Sequence, residues 1–523
     1  MAEFAQALNR LPKPLQPEVA HYWEAFRTAA RSAGIGLPTG AALESLVQVW
    51  ACSEFIARAC IRAPALLAEL SDSGDLITAY TPGDLAERLE RWVADAADVA
   101  DEERLAIALR RFRRREMVRI AWRDLAGLAG LTETLGDLTD LADAAVNAAL
   151  NRLHTWQSQR YGEPRSADGQ PQRLVVLGMG KLGGRELNFS SDIDLILTYP
   201  QQGETDGSRA ISNEEFFRRL GQRLSKVLAE LTAEGFVFRV DLRLRPFGDA
   251  GPVALSFAAF EDYYQHHGRD WERYAMIKAR VIAGDEEAGE RLLAGLRPFV
   301  YRRYLDYHAF EALRDMKTMI AQEVERKKMQ RNIKLGPGGI REIEFIGQAF
   351  QLIYGGREPA LRERSILRVL DTLAASGRLP EAAVDSLKSA YEFLRRVENR
   401  LQAWADRQTH DLPDDELAKV RLAFAMGYPG WGAFMQELAR HVEAVTQQFT
   451  LVFGGAEESS TEAAAGLAGL WREDCDEERA LPLLAEHGFE APARAWNRLR
   501  ALREGFSYRT MSLRGRERLD VLM

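Results

Sequence analysis

Apolar residues recur at helical spacing through most of this chain. One stripe consists of Leu43, Leu46, Val47 and Trp50, a second of Phe310, Leu313, Ile320 and Val324, and a third of Leu387, Leu394, Val397, Leu401 and Trp404. Charged residues occupy the remaining faces, which is the pattern of amphipathic helices that pack on a common core. We therefore predict a mostly α-helical protein in which these stripes form ordinary core.

Residues 161–285 depart from the helical rhythm. A polar loop at 161–173 precedes a continuous apolar run at 174–177, which ends at Gly178 and predicts a buried strand. Residues 192–198 predict a second strand, and residues 236–245 alternate between apolar and polar positions and predict a third. This region is therefore expected to be an α/β domain inserted between helical blocks.

A helix is predicted between the second and third strands. Ser212 and Glu215 have the spacing of a capping box at its start, and Gly235 marks its end. Its inward face is predicted to carry Phe217, Leu220, Leu224, Val227 and Leu231.

The predicted organisation has five parts. These are an N-terminal helical domain at 1–160, the α/β domain at 161–285, a helical bundle at 286–453, a Gly/Ala/Ser/Glu-rich linker at 454–466 and the start of a further helical region at 467–523. Because that last pattern continues to Met523 without a stop signal, we expect the chain to be part of a longer protein.

Charge and cysteine content narrow the class of protein. The chain has 523 residues, a net charge of −8 and three cysteines in no metal-ligand spacing. We expect reduced thiols, a cytoplasmic location, and no affinity for nucleic acid or membrane. The basic run at 110–115 is flanked by Glu116 and by acids at 101–103, so it predicts a mixed-charge helix.

Three acidic residues form the candidate reaction centre. Asp192 and Asp194 stand two apart on a predicted strand, so their carboxylates share a face. Asp241 lies on the predicted strand at 236–245, and all three converge if the two strands are neighbours. Oxygen-only ligands suit Mg²⁺ or Mn²⁺, and two such ions can clamp an in-line displacement at phosphorus.

A glycine-rich turn precedes the first acids. Residues 178–185 read Gly-Met-Gly-Lys-Leu-Gly-Gly-Arg, which permits close approach of a phosphate to the backbone. The spacing also fits a dinucleotide-binding fingerprint, but the acids follow too soon and no further βαβ unit appears. We therefore exclude a Rossmann fold.

Four segments resemble one family closely. They are residues 178–195, residues 239–248 (Arg-Val-Asp-Leu-Arg-Leu-Arg-Pro-Phe-Gly), residues 267–280, and residues 332–345 (Asn-Ile-Lys-Leu-Gly-Pro-Gly-Gly-Ile-Arg-Glu-Ile-Glu-Phe). The family is that of the bifunctional glutamine synthetase adenylyltransferase/adenylyl-removing enzymes. The form of residues 332–345, the preceding helical block and the single catalytic region resemble its N-terminal, adenylyl-removing half.

The resemblance implies a polymerase-beta-like nucleotidyltransferase domain flanked by helical domains. It implies phosphorolysis, in which orthophosphate attacks the α-phosphorus of tyrosyl-AMP on glutamine synthetase, the tyrosine oxygen leaves, and ADP is released. Asp192, Asp194 and Asp241 would hold two Mg²⁺ or Mn²⁺ ions. The nucleotide and phosphate would contact Lys181, Gly183, Gly184, Arg185, Ser191, Arg243 and Arg245. Uridylylated PII signal protein and glutamine are the implied regulators.

Weaker candidates lie further along the chain. Asp270, Glu272, Arg273 and Lys278 are interpreted as an internal salt-bridge network, and residues 338–344 as a helix start near the site. Two other functions stay open, namely an ATP-dependent adenylyltransferase acting on the same tyrosine, and an inactive regulatory module. Metal-dependent turnover would separate that module from both enzymes.

Overall fold

The computed structural model describes residues 2–95, 101–302, 331–453, 477–486, 489 and 491–504. The apolar stripe of Phe310, Leu313, Ile320 and Val324, the predicted linker at 454–466 and Cys475 lie outside the described residues. The chain divides into two compact units, Met1–Thr446 and Gln447–Met523. The predicted domain boundaries stay predictions.

Amphipathic helices build the first part of the larger unit. They are α1 (Ala2–Leu8), α2 (Gln16–Ser32), α3 (Gly40–Cys52), α4 (Glu54–Arg62), α5 (Pro64–Asp72), α6 (Asp84–Asp95), α7 (Glu102–Leu125) and α8 (Leu131–Tyr161). The predicted stripe on α3 is confirmed, since Leu43, Leu46, Val47 and Trp50 are all buried. Burial of such side chains supplies most of the stability of a helix in water.

Arginines of the basic run on α7 form ion pairs within the protein. Arg115 Nε lies 2.7 Å from Glu69, and Arg115 also pairs with buried Asp75 at 2.5 Å. Arg113 pairs with Asp406 at 2.8 Å. The prediction of a mixed-charge helix is confirmed, and the pairing leaves these guanidinium groups engaged within the fold.

Seven short strands follow within the described residues. They are β1 (Pro164–Ser166), β2 (Val175–Gly178), β3 (Ile193–Tyr199), β4 (Gly203–Thr205), β5 (Val240–Asp241), β6 (Ala254–Ser256) and β7 (Arg280–Gly284). Strands β1 and β4 form a two-stranded sheet, and the other five form a mixed sheet in the order β5-β3-β2-β7. β6 also pairs with β3, in parallel, at the opposite end of β3 from β5. The prediction of a mostly helical protein with a small sheet is confirmed.

Both faces of the sheet are buried, which explains the nearly continuous apolar sequences of its central strands. Ile193, Leu195 and Leu197 of β3 join the core of the N-terminal helices. Ile196 points the other way, into a second core with Phe260 and other residues. Asp194 shares the parity of Ile196, so its carboxylate lies on the face opposite the N-terminal helices.

Helices α9 (Gly180–Gly183) and α10 (Asn213–Ala229) lie within the α/β region. The capping prediction for α10 is confirmed, since Ser212 Oγ accepts a hydrogen bond of 3.2 Å from Glu215 N. Its predicted length is wrong, because α10 ends at Ala229 and Leu231 is 77% exposed.

The predicted third strand is wrong over most of its length. Only Val240–Asp241 pairs with β3. Val237 and Phe238 are both buried, and both donate backbone hydrogen bonds to the carbonyl oxygen of Leu228 near the end of α10. The chain is held against the end of α10 here before it reaches the sheet. The alternating apolar and polar residues therefore do not lie on opposite faces of a strand.

The remaining helices complete the larger unit and form the smaller one. They are α11 (Phe257–His266), α12 (Asp270–Met276), α13 (Glu286–Val300), α14 (Ile340–Tyr354), α15 (Ile366–Ala375), α16 (Glu381–Ala403), α17 (Glu416–Ala425), α18 (Trp431–Phe453), α19 (Glu477–Glu486) and α20 (Pro492–Glu504). On the stripe of α16, Leu387, Leu394 and Val397 are fully buried. α19 and α20 pack on Ala480, Leu484 and Trp496.

Across the residues that the structure describes, every helix is too short or too polar to cross a bilayer.

Candidate active site

The parallel pairing of β3 with β5 brings the predicted acids together. Asp194 is the register partner of Asp241, and Asp192 lies just ahead of β3. All three line one cavity of about 340 Å³. The expected convergence of the three acids is therefore found, although the second strand is only two residues long.

The glycine turn packs against this cavity. Gly180 has φ +52°, and a Cβ atom placed there would lie 2.8 Å from Asp194 Oδ2. At Gly183 a Cβ atom would lie 2.0 Å from the carbonyl oxygen of Lys278. These positions require glycine because the turn, the acid and the Lys278 segment approach one another closely. Gly180 lines the cavity, whereas the predicted phosphate-binding Gly183 and Gly184 are not part of its lining.

Asp194 carries an unfavourable charge. Its pKa is raised to about 6, first by burial and then by the neighbouring carboxylates of Asp241 and Asp192. In the described part of the chain the structure gives the Asp194 carboxylate no hydrogen bond or ion pair. A positive charge placed in the cavity would stabilise this group.

Arginines engage the other two acids. Arg243 Nε lies 2.8 Å from Asp241 Oδ2, and this hydrogen bond is the main reason that the pKa of Asp241 is lowered. Arg239 Nε donates to Asp192 Oδ1 at 2.7 Å. Among the described residues, no set of three or more His, Cys, Asp or Glu side chains has the arrangement of a formed metal site. The arginines occupy carboxylate oxygens that ligation would require.

The other predicted phosphate contacts divide into two groups. Lys181, Ser191 and Arg243 line the cavity. Arg185 instead donates to Asp140 on α8 at 2.6 Å, and Arg245 donates to the carbonyl oxygen of Leu242 at 2.8 Å. In this structure, Arg185 and Arg245 therefore support the walls of the site from outside the cavity.

Lys181 is held in a buried polar cluster. Its Nζ donates to Glu398 Oε1 at 2.7 Å and to Asn188 Oδ1 at 2.9 Å. Burial lowers the pKa of Lys181 to about 7, Glu398 opposes this shift, and the positive charges of Arg395 and Lys334 add to it. The charged form of Lys181 is therefore only weakly stabilised, and an anion in the cavity would stabilise it further.

Sequence reasoning missed several lining residues, most of which come from segments distant from the acids. They are Leu244, Tyr274, Ala275, Lys334, Gln348 and Gln408. Tyr274 and Lys334 lie in motifs that carried the family resemblance, which was the available signal. Gln408, whose Nε2 lies 3.4 Å from Asp192 Oδ2, is in a segment without any such signal.

Lys278 and Glu344 also line the cavity, and they form an internal ion pair. Lys278 Nζ lies 2.7 Å from Glu344 Oε1 and 3.1 Å from Glu186 Oε2. The predicted network is therefore present in part, because Arg273 pairs with Asp270 at 3.1 Å, whereas Lys278 pairs with carboxylates outside the predicted set. The predicted helix start is confirmed, with Gly339 as the N-cap of α14.

The loop ahead of Asp192 is held by one face of α16. Four buried side chains of that helix bond to residues 186–190, three of them to backbone groups. The pairs are Arg395 with the carbonyl of Glu186, Glu398 with the Asn188 amide at 2.7 Å, Asn399 with Phe189 N at 3.2 Å, and Gln402 with Ser190 N at 3.1 Å. A helix far along the chain therefore fixes the approach to the acids.

Comparisons with known proteins agree with this arrangement. The family model described as glutamate-ammonia ligase adenylyltransferase matches residues 43–295. A second model, described as GlnD PII-uridylyltransferase, matches residues 314–453. The first match contains the acids, the glycine turn and the whole sheet.

Individual relatives match the chain almost from end to end. Proteins named bifunctional glutamine synthetase adenylyltransferase/adenylyl-removing enzyme are 54% identical in Thioalkalivibrio sulfidiphilus, 52% in Nitrosococcus oceani and 51% in Pseudomonas aeruginosa. Each alignment covers 99% of this chain and 54% of the relative. The chain therefore spans about half the length of the curated relatives that it matches.

Proposed function

By homology the chain belongs with the bifunctional glutamine synthetase adenylyltransferase/adenylyl-removing enzymes, and we propose that it removes AMP from the adenylylated tyrosine of glutamine synthetase by phosphorolysis. The observation that carries the proposal is the convergence of Asp192, Asp194 and Asp241 on one cavity beside a glycine turn. The removing direction rests on the form of residues 332–345 and on the single catalytic region.

The strand arrangement supports a polymerase-beta-like catalytic domain. A pair of acids opens one strand of a mixed sheet, and the third acid lies opposite on a parallel neighbour. The proposed fold is the nucleotidyltransferase core, with the following segment at 334–408 supplying one wall of the site through Lys334, Glu344 and Gln408.

Divalent metal fits the donor set. Three carboxylates line the cavity, and the raised pKa of Asp194, caused by burial and by the two neighbouring carboxylates, supports a cation bound beside it. Mg²⁺ or Mn²⁺ would be held by Asp192, Asp194 and Asp241 after Arg239 and Arg243 release carboxylate oxygens. When bound, the metal would stabilise negative charge that develops on the transferring phosphoryl group.

The residues of the chain would position the reactants. Lys181, Lys278 and Lys334 give the cavity positive charge for a nucleotide phosphate and the incoming orthophosphate. An oxygen of hydrogenphosphate bonds to the α-phosphorus of tyrosyl-AMP as the bond from phosphorus to the tyrosine oxygen breaks. The proton lost by hydrogenphosphate balances the proton taken up by tyrosine, and ADP is released. No covalent enzyme intermediate is required, since positioning and charge stabilisation can carry the transfer.

The proposed partners are adenylylated glutamine synthetase, uridylylated PII signal protein and glutamine as effector. The match of residues 314–453 to a PII-uridylyltransferase model supports the connection with PII.

The test is incubation of the chain with adenylylated glutamine synthetase, Mg²⁺ and orthophosphate, with and without uridylylated PII, followed by chromatography of the nucleotides. ADP that appears only with phosphate and is lost in Asp192→Asn would establish phosphorolysis. AMP in place of ADP would identify hydrolysis. Incorporation of AMP from ATP into unmodified synthetase would reverse the assigned direction. Neither activity in the presence of PII would favour the inactive module.

A further inference from the structure

A second cavity lies on the other side of the segment that borders the active site. Its volume is about 360 Å³, and it is enclosed by the last turns of α13, the segment at 359–364 and residues 276–279. Tyr274, Ala275 and Lys278 line the active-site cavity, while Met276, Ile277 and Ala279 line the second one. The two cavities therefore share one stretch of chain as a wall but have separate linings.

Three arginines line this second cavity. Arg362 Nε donates to the carbonyl oxygen of Gly355 at 2.6 Å, and Arg364 Nε donates to that of Ala279 at 2.8 Å. For the side chain of Arg297 the structure gives no hydrogen bond or ion pair within the described residues. Within the same residues, none of the three guanidinium groups pairs with a carboxylate. Several N–H donors are thus left for a ligand.

The positive charges of all three arginines act on Tyr301, which also lines the cavity. The guanidinium carbon of Arg362 lies 5.6 Å from the centre of the Tyr301 ring. Burial raises the pKa of Tyr301 to about 12, and Arg364, Arg362 and Arg297 each oppose that shift. The three arginines and Tyr301 line the same cavity, so the arginine charges act together on what that cavity holds.

Little negative charge offsets them. Glu290 lines the cavity, but the structure pairs it with none of the three arginines. Glu363 adds negative charge near Tyr301, yet its oxygens accept from Arg364 N at 2.7 Å and from Arg368 Nη1 at 2.9 Å. The cavity keeps a net positive charge.

We propose that this cavity binds the phosphate group of a small organic phosphate whose apolar part contacts Leu293, Leu296 and Met276. A phosphate monoester carries a charge of about −1.5 to −2 at neutral pH and three acceptor oxygens, which matches three arginines offset by one glutamate. A lone carboxylate supplies one charge and two oxygens. The volume and the mixed apolar and cationic lining are those of small-molecule sites.

The test is calorimetric titration of the intact chain with AMP as the probe, and in parallel with succinate. Arg297→Gln is the first variant, because that side chain is exposed and its loss leaves no structural hydrogen bond broken in the described region. Arg297→Gln/Arg362→Gln is the second. Arg291→Gln is the matched control, since Arg291 is on the same helix and pairs with Glu287 on the surface. Thermal unfolding verifies that each variant is folded.

We expect one class of AMP site to weaken by about tenfold or more in Arg297→Gln, as for loss of a charged hydrogen bond. The same loss is expected when Asp192→Asn/Asp194→Asn is present, because that background alters only the active-site cavity. Equal AMP binding in Arg297→Gln, the double variant and Arg291→Gln would overturn the proposal. If succinate binds in a way that depends on these arginines and AMP does not bind, the assignment of the ligand group to phosphate would be overturned. The binding readout is independent of turnover, so it can fail or succeed separately from the proposed enzymatic function.

Discussion

The backbone N–H of Ser190 donates a hydrogen bond of 3.1 Å to Oε1 of Gln402, which lies 212 positions later in the chain. Gln402 is fully buried, and its neighbour Asn399 accepts from Phe189 N in the same way. Two amide side chains of α16 thus accept the backbone hydrogen bonds of this loop that a neighbouring strand or a water molecule would otherwise accept. The placement of Asp192 depends on them.

Replacing Gln402 tests this dependence. Gln402→Met keeps the side-chain volume but removes the acceptor, which leaves the Ser190 N–H buried and unpaired. We expect a loss of stability of about 1–3 kcal/mol. We also expect turnover to fall more than apparent substrate affinity, because the loop positions an acid of the proposed reaction centre. Denaturant unfolding and steady-state kinetics measure the two effects.

Gln436→Met is the control for Gln402→Met, since Gln436 is an exposed glutamine on α18. A Gln402→Met protein with unchanged kcat would show that the loop reaches its position without α16.

Neutralising the acids should abolish turnover without unfolding the protein. Asp192→Asn and Asp194→Asn each remove ligand charge from a cavity wall, and Asp194→Asn also removes a charge that burial disfavours. We expect activity to fall by about a hundredfold or more in each, with a melting temperature at or above that of the wild type for Asp194→Asn. Asp249→Asn, at a largely exposed side chain nearby, is the control. Near-normal rates in either cavity variant would reject the metal assignment.

A methyl group at Gly183 should disturb the site by contact alone. The new Cβ would lie 2.0 Å from the carbonyl oxygen of Lys278 and 2.5 Å from that of Gly178, so backbone must move. We expect Gly183→Ala to lose about 1–3 kcal/mol and much of its turnover. Gly136→Ala, on α8 with no atom within 4 Å of the new methyl group, should gain about 0.5–1 kcal/mol. Comparable unfolding curves for both variants would contradict the packing described here.

The Lys278–Glu344 ion pair predicts how the free energy of unfolding declines at acidic pH. Burial opposes the charge on Glu344, but Lys278 outweighs it and the pKa of Glu344 falls to about 2 from an ordinary value of 4.5. The pKa of Lys278 is raised, since Glu186 and Glu344 together outweigh its burial. A carboxyl group with a lowered pKa contributes stability that is complete above pH 4.5 and is lost as the pH falls toward 2.

We therefore expect Glu344→Gln to flatten the decline of unfolding free energy between pH 4.5 and 2, while lowering stability at pH 7 by about 1–3 kcal/mol. Urea denaturation at a series of pH values measures this. Glu287→Gln, at an exposed carboxylate, is the comparison and should leave the profile unchanged. If the unfolding free energy declines equally steeply at acidic pH in Glu344→Gln and in the wild type, other groups cause the loss of stability.

Local signals in the sequence predicted the elements that depend on local chemistry. The Ser212 cap, the apolar run of β2 and the paired acids of β3 follow from neighbours within a few residues. The strand at 236–245 failed because packing of Val237 and Phe238 on the end of α10 overrode the alternation. Propensity patterns do not contain such tertiary contacts.

The acidic residues of the site could be predicted from the sequence, but the residues that hold them in place could not. Asp192, Asp194 and Asp241 were accessible because strand periodicity assigns them to a face. The roles of Arg185 and Arg245 were not, because an arginine on a strand or turn gives no indication of whether a carboxylate, a carbonyl or a ligand lies opposite. Gln408 and the α16 residues reach the site from more than 200 positions away.

The face of α16 that holds residues 186–190 lies beyond residue 295, where the match to the first family model ends. In evolutionary terms we expect the loop and that face to change together, since side chains of the helix bond directly to groups of the loop. A chimaera that exchanged only residues 43–295 between relatives would join a loop to a helix selected for a different partner. Recombination should conserve function only when both segments come from the same parent.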